Sequence, residues 1–212
     1  MDESPSAASG LASRRSLRAP STERVIAIAK ELDLRDEGTA LHCQTVACYA
    51  EAIARELELP EEVTESVRLA GLLHDIGKIG IPGWIVAKPG PLDHNEWLEM
   101  QSHPRIGAGM LADAGIEDIR EWILAHHERP DGSGYPRGLC DEEIPLEAKI
   151  LAVADSYEAM TNDRCYRHSI GRERAVTELR RNAGRQFDEV VVDAFIRVLE
   201  RDEPQSAPNG AL

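Results

Sequence analysis

Histidines and aspartates recur in this sequence at places where neutral nitrogen and charged oxygen ligands could meet around a metal ion. His74 is followed directly by Asp75, and His126 directly by His127. Asp155 interrupts the apolar run ILAVADSYEAM. Imidazole and carboxylate groups are the ligands that divalent transition metals take at catalytic sites. The pattern therefore suggests metal-dependent chemistry.

The surroundings of the two aspartates favour this interpretation over a purely structural one. A lone histidine on an amphipathic helix is usually structural, and we interpret His94 and His168 in that way. Asp75 and Asp155 lie in strongly apolar runs, where a buried carboxylate is costly unless it is paired or bound to a metal. A buried salt bridge is the alternative, but the basic residues lie mostly in polar stretches. We therefore favour a metal.

A set of four histidines and two aspartates could hold two ions about 3.5–4 Å apart, because a carboxylate can bridge two metals with its two oxygens. Such a pair makes hydroxide available from a bound water near neutral pH and clamps the attacking and leaving oxygens of an in-line displacement. The absence of C-x-x-C pairs argues against a structural thiolate zinc site. The predicted chemistry is phosphoester hydrolysis.

Three cations lie near these residues in the sequence. Lys78 follows His74 by four positions, so its ammonium would face the same way if the helix continued. Arg164 and Arg167 follow Asp155 by nine and twelve positions. Each could contact a phosphate oxygen, and each could equally be a solvated cation near a helix end.

Amphipathic helices must position these side chains. The segment EEVTESVRLAGLLHDIGK begins behind Pro60 and is closed by His74 and Asp75, and FDEVVVDAFIRVLE follows Asp188 as a plausible N-cap. Alternation with a period of two is nearly absent, so any strand is confined to a short hairpin near 135–145. The sequence predicts an all-α fold, with further helices at 23–33, 39–57, 94–102, 105–114, 117–128, 146–161 and 171–182.

The chain is long enough for one domain, with 212 residues of which 42% are hydrophobic. We predict a disordered segment over residues 1–22, a single catalytic domain over 23–200, and a disordered segment over 201–212. These terminal segments are polar and lack apolar periodicity. The four cysteines, Cys43, Cys48, Cys140 and Cys165, are expected to be reduced thiols.

Charge and hydropathy exclude several partners. The net charge of -14 argues against a broad basic face for a nucleic acid polymer. The apolar runs are too short to cross a membrane, and the first residues lack the pattern of a signal peptide. We therefore expect a cytoplasmic protein.

Five motifs, in unbroken order over residues 23–200, resemble those of HD-GYP domains, a subgroup of the HD metal-dependent phosphohydrolases. They are HDIGKIGIP at 74–82, AKPGPL at 87–92, HHERPDGSGYPRGL at 126–139, VADSYEAMTNDRCYR at 153–167 and GRQFDEVVVDAF at 184–195. The resemblance implies a single HD-type helical bundle, with a short hairpin or loop insertion around the GYP motif. It also implies hydrolysis of the bacterial signalling molecule cyclic di-GMP to pGpG, or on to GMP.

The resemblance further implies a set of site residues. Two divalent ions, iron or manganese, would be bound, with Asp75 bridging them and holding the hydrolytic water. Lys78, Arg164 and Arg167 would contact substrate phosphate, and Gly134 and Tyr135 would line the guanine or phosphate pocket. The implied metal ligands are His42, His74, Asp75, His103, His126, His127 and Asp155.

Three positions depart from the family pattern. Gly38 stands where some members carry a glutamate that supports a third metal, so we expect two metals rather than three. For the same reason, full cleavage to GMP is less expected than cleavage to pGpG. Thr45 stands where relatives often carry arginine, which could weaken a contact near a ligand. Cys165 replaces the usual proline of the D-R-P-Y-R stretch. It is either a spectator, which we favour, or a redox-sensitive thiol.

Two other functions stay open. The same centre could hydrolyse another cyclic dinucleotide or nucleotide phosphoester, although the intact GYP loop counts against this. Alternatively, the chain could be a catalytically silent module that binds cyclic di-GMP or docks on a partner, although it keeps the implied ligands. Members usually carry a sensory or receiver domain before the catalytic one, where this sequence has only about 22 polar residues. Regulation is therefore expected from a partner, from metal supply, from oligomerisation or from another signal. A regulatory protein partner or a diguanylate cyclase, and a homodimer, stay open.

Overall fold

The computed structural model describes residues 37–163 and 168–201, and these fold into α-helices joined by short loops and 3-10 turns. Within these residues there is no strand. In the loop that carries the GYP motif, the one strand-like feature is an isolated antiparallel bridge between Asp131 and Cys140. The all-α prediction is confirmed. The helices are α1 (Glu37–Glu56), α2 (Glu61–Leu73), α3 (Gly83–Val86), α4 (His94–Met100), α5 (His103–Met110), α6 (Glu117–Ala125), α7 (Leu146–Thr161), α8 (Arg172–Arg181) and α9 (Glu189–Arg201), and the 3-10 turns are Ile76–Gly80 and Asp141–Glu143.

Most predicted helices are present, with small differences at their ends. α6 ends at Ala125, so His126 and His127 follow the helix rather than closing its last turn. The predicted helix 23–33 and the predicted terminal segments lie outside the described residues, apart from Arg201, which ends α9. In the described part of the chain, every helix is too short or too polar to cross a bilayer.

The core forms where α1 packs against α2, α7 and α9. On α1 the buried residues Val46, Ala50 and Ile53 recur at spacings of three and four, which places them on one face. Tyr49, Tyr157 and Phe195 meet edge to face between α1, α7 and α9, with ring centroids 4.9–5.4 Å apart. This core holds α1 and α7 side by side, and both helices carry candidate ligands.

A close backbone contact joins the HD motif to α5. A Cβ atom at Gly77 would lie 1.9 Å from the carbonyl oxygen of His103 and 2.5 Å from the amide of Gly107. Only glycine allows this approach. It brings the 3-10 turn that follows Asp75 directly against the helix that begins with His103.

Candidate metal centre

The side chains of all seven predicted metal ligands converge where helix ends meet the middle of the bundle. His42 comes from α1, and His74 and Asp75 follow the end of α2. They form one group whose ligand atoms lie within 4.8 Å of one another. His103, His126 and His127 form a second such group.

Asp75 lies between these two groups and is 2% exposed. Its Oδ1 is 3.4 Å from Nε2 of His103, in the second group. Its Oδ2 is 3.4 Å from Nε2 of His74 and 3.6 Å from Nε2 of His42, in the first group. The carboxylate therefore faces the two groups with different oxygens.

Asp155, on α7, completes the first group. Its Oδ1 lies 3.3 Å from Nε2 of His42 and 3.9 Å from Nε2 of His74. Asp155 also borders an open cavity that His126 and His127 line as well. The predicted set of seven residues is thus a spatial cluster, although the sequence spreads it over more than a hundred positions.

Hydrogen bonds orient three of these histidines in the same way. Nδ1 of His74 donates to the carbonyl of Gly71 at 2.8 Å, Nδ1 of His103 to Met100 at 2.8 Å, and Nδ1 of His126 to Ile123 at 2.6 Å. In each case the acceptor belongs to the last turn of a helix, whose final carbonyls lack helical partners. With the proton on Nδ1, Nε2 keeps its lone pair.

The remaining nitrogens are suited to a metal ion. The Nε2 atoms of His74, His103 and His126 are buried and have no hydrogen-bond partner among the described residues. A buried polar atom without a partner is costly. Unprotonated imidazole nitrogens gathered around a carboxylate are a ligand set that a divalent transition metal can bind. The residues present therefore fit a centre of divalent metal ions.

Burial and charge set the protonation of the cluster. Burial lowers the pKa of His103, lowers that of His126 well below its usual value, and lowers that of His127 to about 3. These imidazoles are therefore neutral at pH 7, as metal binding requires.

The carboxylates around His42 have the opposite effect. Burial would lower the pKa of His42, but hydrogen bonds to Asp155, Asp75 and Glu158 outweigh it and raise the pKa to about 11. Burial would likewise raise the pKa of Asp75, but the charge of Lys78 and a hydrogen bond to His42 hold it well below its usual value. In the first group, oppositely charged side chains therefore stabilise one another's charged forms.

The GYP loop folds back onto the histidine pair. The buried carboxylate of Glu128 accepts hydrogen bonds from the amides of Arg137 at 2.7 Å and Leu139 at 3.0 Å. The amide of Tyr135 donates to the carbonyl of His127 at 3.2 Å. A Cβ atom at Gly134 would lie 2.4 Å from the amide nitrogen of Arg129, so this approach also requires glycine.

The loop places Tyr135 at the wall of a cavity beside the cluster. The Tyr135 ring lies 4.8 Å from the His127 ring, and the half-exposed Trp97 ring meets Tyr135 edge on at 6.0 Å. The cavity has a volume of about 210 Å³. Its lining includes Trp97, His126, His127, Arg129, Tyr135, Asp155, Gln186 and Phe187.

The other predicted residues have varied outcomes. Arg164, Arg167 and Cys165 lie outside the described residues. Thr45 donates to the carbonyl of Leu41 at 2.9 Å, within its own helix. His94 and His168 are exposed, as expected for residues without a role in the cluster. Gly38 lies in the first turn of α1, and Cys43, Cys48 and Cys140 are free thiols.

Sequence reasoning missed three contributors to this region: Glu128, Glu158 and Trp97. Glu158 hydrogen-bonds Nδ1 of His42 and is buried. Its signal was available, because it lies three positions after Asp155 in the same apolar run. Glu128 directly follows the histidine pair, but only the return of the loop makes it a buried acceptor. Trp97 lies in a correctly predicted helix and gave no sign of contact with Tyr135.

The helical fold and the clustered histidines and aspartates define the class, an all-helical domain built around a His-Asp motif. A family model described as an HD domain matches residues 11–191. The chain belongs to the HD domain family, and its resemblance to HD-GYP members is confirmed by its curated relatives. A solved structure of a cyclic GMP-AMP specific phosphodiesterase of Vibrio cholerae (V-cGAP3) shares the fold, with a TM-score of 0.63 at 20% identity, over 85% of this chain and 49% of that one.

The curated relatives act on cyclic dinucleotides, according to their names. The cyclic di-GMP phosphodiesterase response regulator RpfG of Xanthomonas campestris is 39% identical over 190 residues, which cover 88% of this chain and 50% of RpfG. A cyclic di-GMP phosphodiesterase of Thermotoga maritima is 40% identical, over 78% of this chain and 46% of the relative. The 3'3'-cGAMP-specific phosphodiesterase 2 of Vibrio cholerae is 36% identical, over 85% of this chain and 35% of the relative. The chain spans half or less of the length of these relatives.

Proposed function

We propose that this chain is a metal-dependent phosphodiesterase that hydrolyses cyclic di-GMP to pGpG. The observation that carries the proposal is the position of the Asp75 carboxylate, whose two oxygens face two separate groups of imidazole nitrogens. A structural salt bridge would need only one cation beside this carboxylate. Two groups that could each hold a metal indicate a centre for two ions.

The residues fall into two proposed metal sites. His42, His74 and Asp155 would hold one divalent ion, His103, His126 and His127 the other, and Asp75 would bridge them. When bound, two such ions would activate a water molecule and neutralise charge on the phosphodiester. Iron or manganese suits this nitrogen and oxygen ligation. Gly38 supports two ions rather than three, since it offers no side-chain ligand.

The protein's own groups prepare this centre. The carbonyls of Gly71, Met100 and Ile123 hold three imidazoles in the tautomer that leaves Nε2 unprotonated. Lys78, whose side chain is 25% exposed, keeps an ammonium beside Asp75. We assign it to a non-bridging phosphate oxygen, where its charge would stabilise the transition state.

The cavity beside the cluster supports a nucleotide substrate. Tyr135 and Trp97 give it an aromatic wall, and Arg129 and Gln186 offer hydrogen-bond donors. Aromatic faces stack on nucleobases. We assign Gly134 and Tyr135 of the GYP loop to this wall, and Arg164 and Arg167 to substrate phosphate on the strength of the sequence motif. A cytoplasmic location, a regulatory partner and a homodimer stay predictions.

The test uses the full chain purified without oxygen and loaded with Mn²⁺ or Fe²⁺. We expect cyclic di-GMP to be converted to pGpG, identified by chromatography and mass. Asp75→Asn should lower the rate by at least about 10³-fold. Asp113→Asn, at an exposed aspartate that is not among the proposed ligands, should leave the rate unchanged. Absence of product from protein that holds metal would refute the proposal.

A second substrate has specific support, since one relative is named as specific for 3'3'-cGAMP. The same assay should therefore compare kcat/KM for cyclic di-GMP, 3'3'-cGAMP and cyclic di-AMP. A higher kcat/KM for 3'3'-cGAMP would support the proposed phosphodiesterase reaction but make 3'3'-cGAMP the preferred substrate. Equal affinity of the wild type and Asp75→Asn for cyclic di-GMP, with no turnover by either, would instead identify a silent binding module.

A further inference from the structure

His42 is held differently from three other candidate ligands, His74, His103 and His126. The Nδ1 atoms of His74, His103 and His126 bond to backbone carbonyls three residues earlier in the chain. Nδ1 of His42 instead bonds to the carboxylate of Glu158, which lies 116 positions later. One ligand therefore depends on a side chain from another helix for its orientation.

The positions of the histidines in their helices explain this difference. The other three use carbonyls in the last turns of α2, α4 and α6, which are free of helical partners. His42 lies inside α1, more than one turn from its start, where the preceding carbonyls already accept helical hydrogen bonds. An imidazole there needs an acceptor from elsewhere in the protein.

α7 supplies this acceptor together with a candidate ligand. Asp155 and Glu158 are three positions apart, so they lie on the same face of α7. Oδ1 of Asp155 faces Nε2 of His42, and Glu158 binds Nδ1 of the same ring. The other oxygen of Glu158 accepts a hydrogen bond from the Asn162 side chain at 2.9 Å. The His42 ring is thus fixed from both sides by one helix.

We propose that Glu158 is a positioning residue, which aims Nε2 of His42 at the group formed with His74 and Asp75. Metal binding at this group then depends on Glu158, whereas binding at His103, His126 and His127 does not. The inference rests on the proposed function, because it requires that both groups bind metal. A carboxylate behind an imidazole also makes that imidazole a stronger ligand.

The test is a titration of metal-free full-length protein with Mn²⁺, in which the electron paramagnetic resonance signal reports free Mn²⁺. We expect two bound ions in the wild type. In Glu158→Ala, one ion should bind as before and the other about ten- to a hundred-fold more weakly. Glu158→Gln retains an acceptor for Nδ1 and should be intermediate. Glu62→Ala, at an exposed glutamate of α2, is the matched control and should bind as the wild type does.

A double-mutant cycle distinguishes positioning from general loss of structure. If Glu158 acts through His42, then Glu158→Ala should cause no further weakening in a His42→Ala background. Further weakening there, or loss of both ions from Glu158→Ala, would overturn the inference. If Glu158→Ala does not fold, Glu158→Gln decides the question by the same titration and the same cycle.

The outcomes also separate this inference from the proposed function. A wild type that binds no Mn²⁺ overturns both. Two ions bound by the wild type, and two bound with unchanged affinity by the Glu158 variants, overturn the positioning role alone.

Discussion

The ammonium nitrogen of Lys78 lies 2.5 Å from Oδ2 of Asp75. α2 ends at Leu73, and the chain continues as a 3-10 turn with three residues per turn, which brings residues three apart onto the same side. Lys78 therefore lies over Asp75 rather than one α-helical turn beyond His74. Its charge is held at the carboxylate between the two histidine groups, and the alternative of a purely solvated helix-end cation is ruled out.

The first prediction concerns this cation. Lys78→Met should lower kcat for cyclic di-GMP by roughly 10²-fold, because it removes a charge that stabilises the transition state. The content of bound Mn²⁺ should not change, since the ammonium is not a ligand. Steady-state kinetics and metal analysis check the two statements separately. Lys78→Arg, which keeps the charge, should retain part of the activity, and a parallel loss of metal and rate would contradict the phosphate role.

The second prediction concerns the approach of the GYP loop to the histidine pair. Gly134→Ala places a methyl group within 2.4–2.6 Å of backbone atoms of Arg129, Glu128 and His127. The loop must shift, at a cost of about 1–3 kcal/mol, and Tyr135 must move with it. We expect KM for cyclic di-GMP to rise while bound metal stays constant.

Gly109→Ala is the matched control for this substitution. Gly109 is exposed on α5, and a Cβ atom there would contact nothing within 4 Å. Alanine at this helical position should raise the free energy of unfolding by up to about 1 kcal/mol and leave KM unchanged. An unchanged KM in Gly134→Ala would show that the loop does not border the substrate.

The parts of the centre that could be predicted are those with a local signal. Asp75 and Asp155 break apolar runs, and several histidines lie beside predicted helix ends, so the sequence pattern alone indicated a metal centre. The full set of seven candidate ligands followed from the resemblance to HD-GYP domains. The turn after Asp75 could not be predicted in this way. It depends on Gly77 packing against the carbonyl of His103, and a contact between distant positions leaves no periodic trace.

The two buried glutamates illustrate the same limit. Glu158 is marked in the sequence only by its place in an apolar run, and Glu128 only follows the histidine pair; their partners, His42 and the returning loop, appear only in the fold. A charged side chain is buried only when its partners are in place, and those partners come from distant parts of the sequence. The candidate ligands could therefore be proposed from the sequence motifs, while the groups that orient them required the fold.

The third prediction concerns Glu128. Glu128→Gln replaces one acceptor oxygen by an amide donor that faces the amides of Arg137 or Leu139. Losing one charge-assisted hydrogen bond should lower the free energy of unfolding by about 1.5–3 kcal/mol, measured by urea denaturation. Glu142→Gln, at an exposed glutamate of the same loop, should have no effect. Equal stability of both variants would show that the carboxylate does not anchor the loop.

The cluster also determines how the metal-free protein responds to acid. The pKa values of His103, His126 and His127 are lowered by burial. Below about pH 6.5 the unfolded chain binds protons at these residues that the folded chain does not, so stability falls as the pH falls. The raised pKa of His42, about 11, has the opposite effect on stability, because here the folded chain keeps a proton that the unfolded chain loses. This contribution to the free energy of unfolding is fully present below pH 6.5 and is lost as the pH rises from 6.5 to 11. The lowered pKa values of Asp75 and Asp155 matter only below about pH 4.

The fourth prediction follows from these signs. In protein freed of metal by a chelator, the free energy of unfolding should decrease from pH 6.5 to pH 5, by up to about 1.4 kcal/mol per pH unit for each of the three histidines. Urea denaturation at several pH values measures the slope. His127→Gln should reduce it, because one proton-binding site is removed from the unfolded chain, whereas His94→Gln should not, because His94 is exposed when folded. A slope that does not respond to His127→Gln would mean that this imidazole binds protons alike in the folded and unfolded chains, and that burial does not hold it neutral.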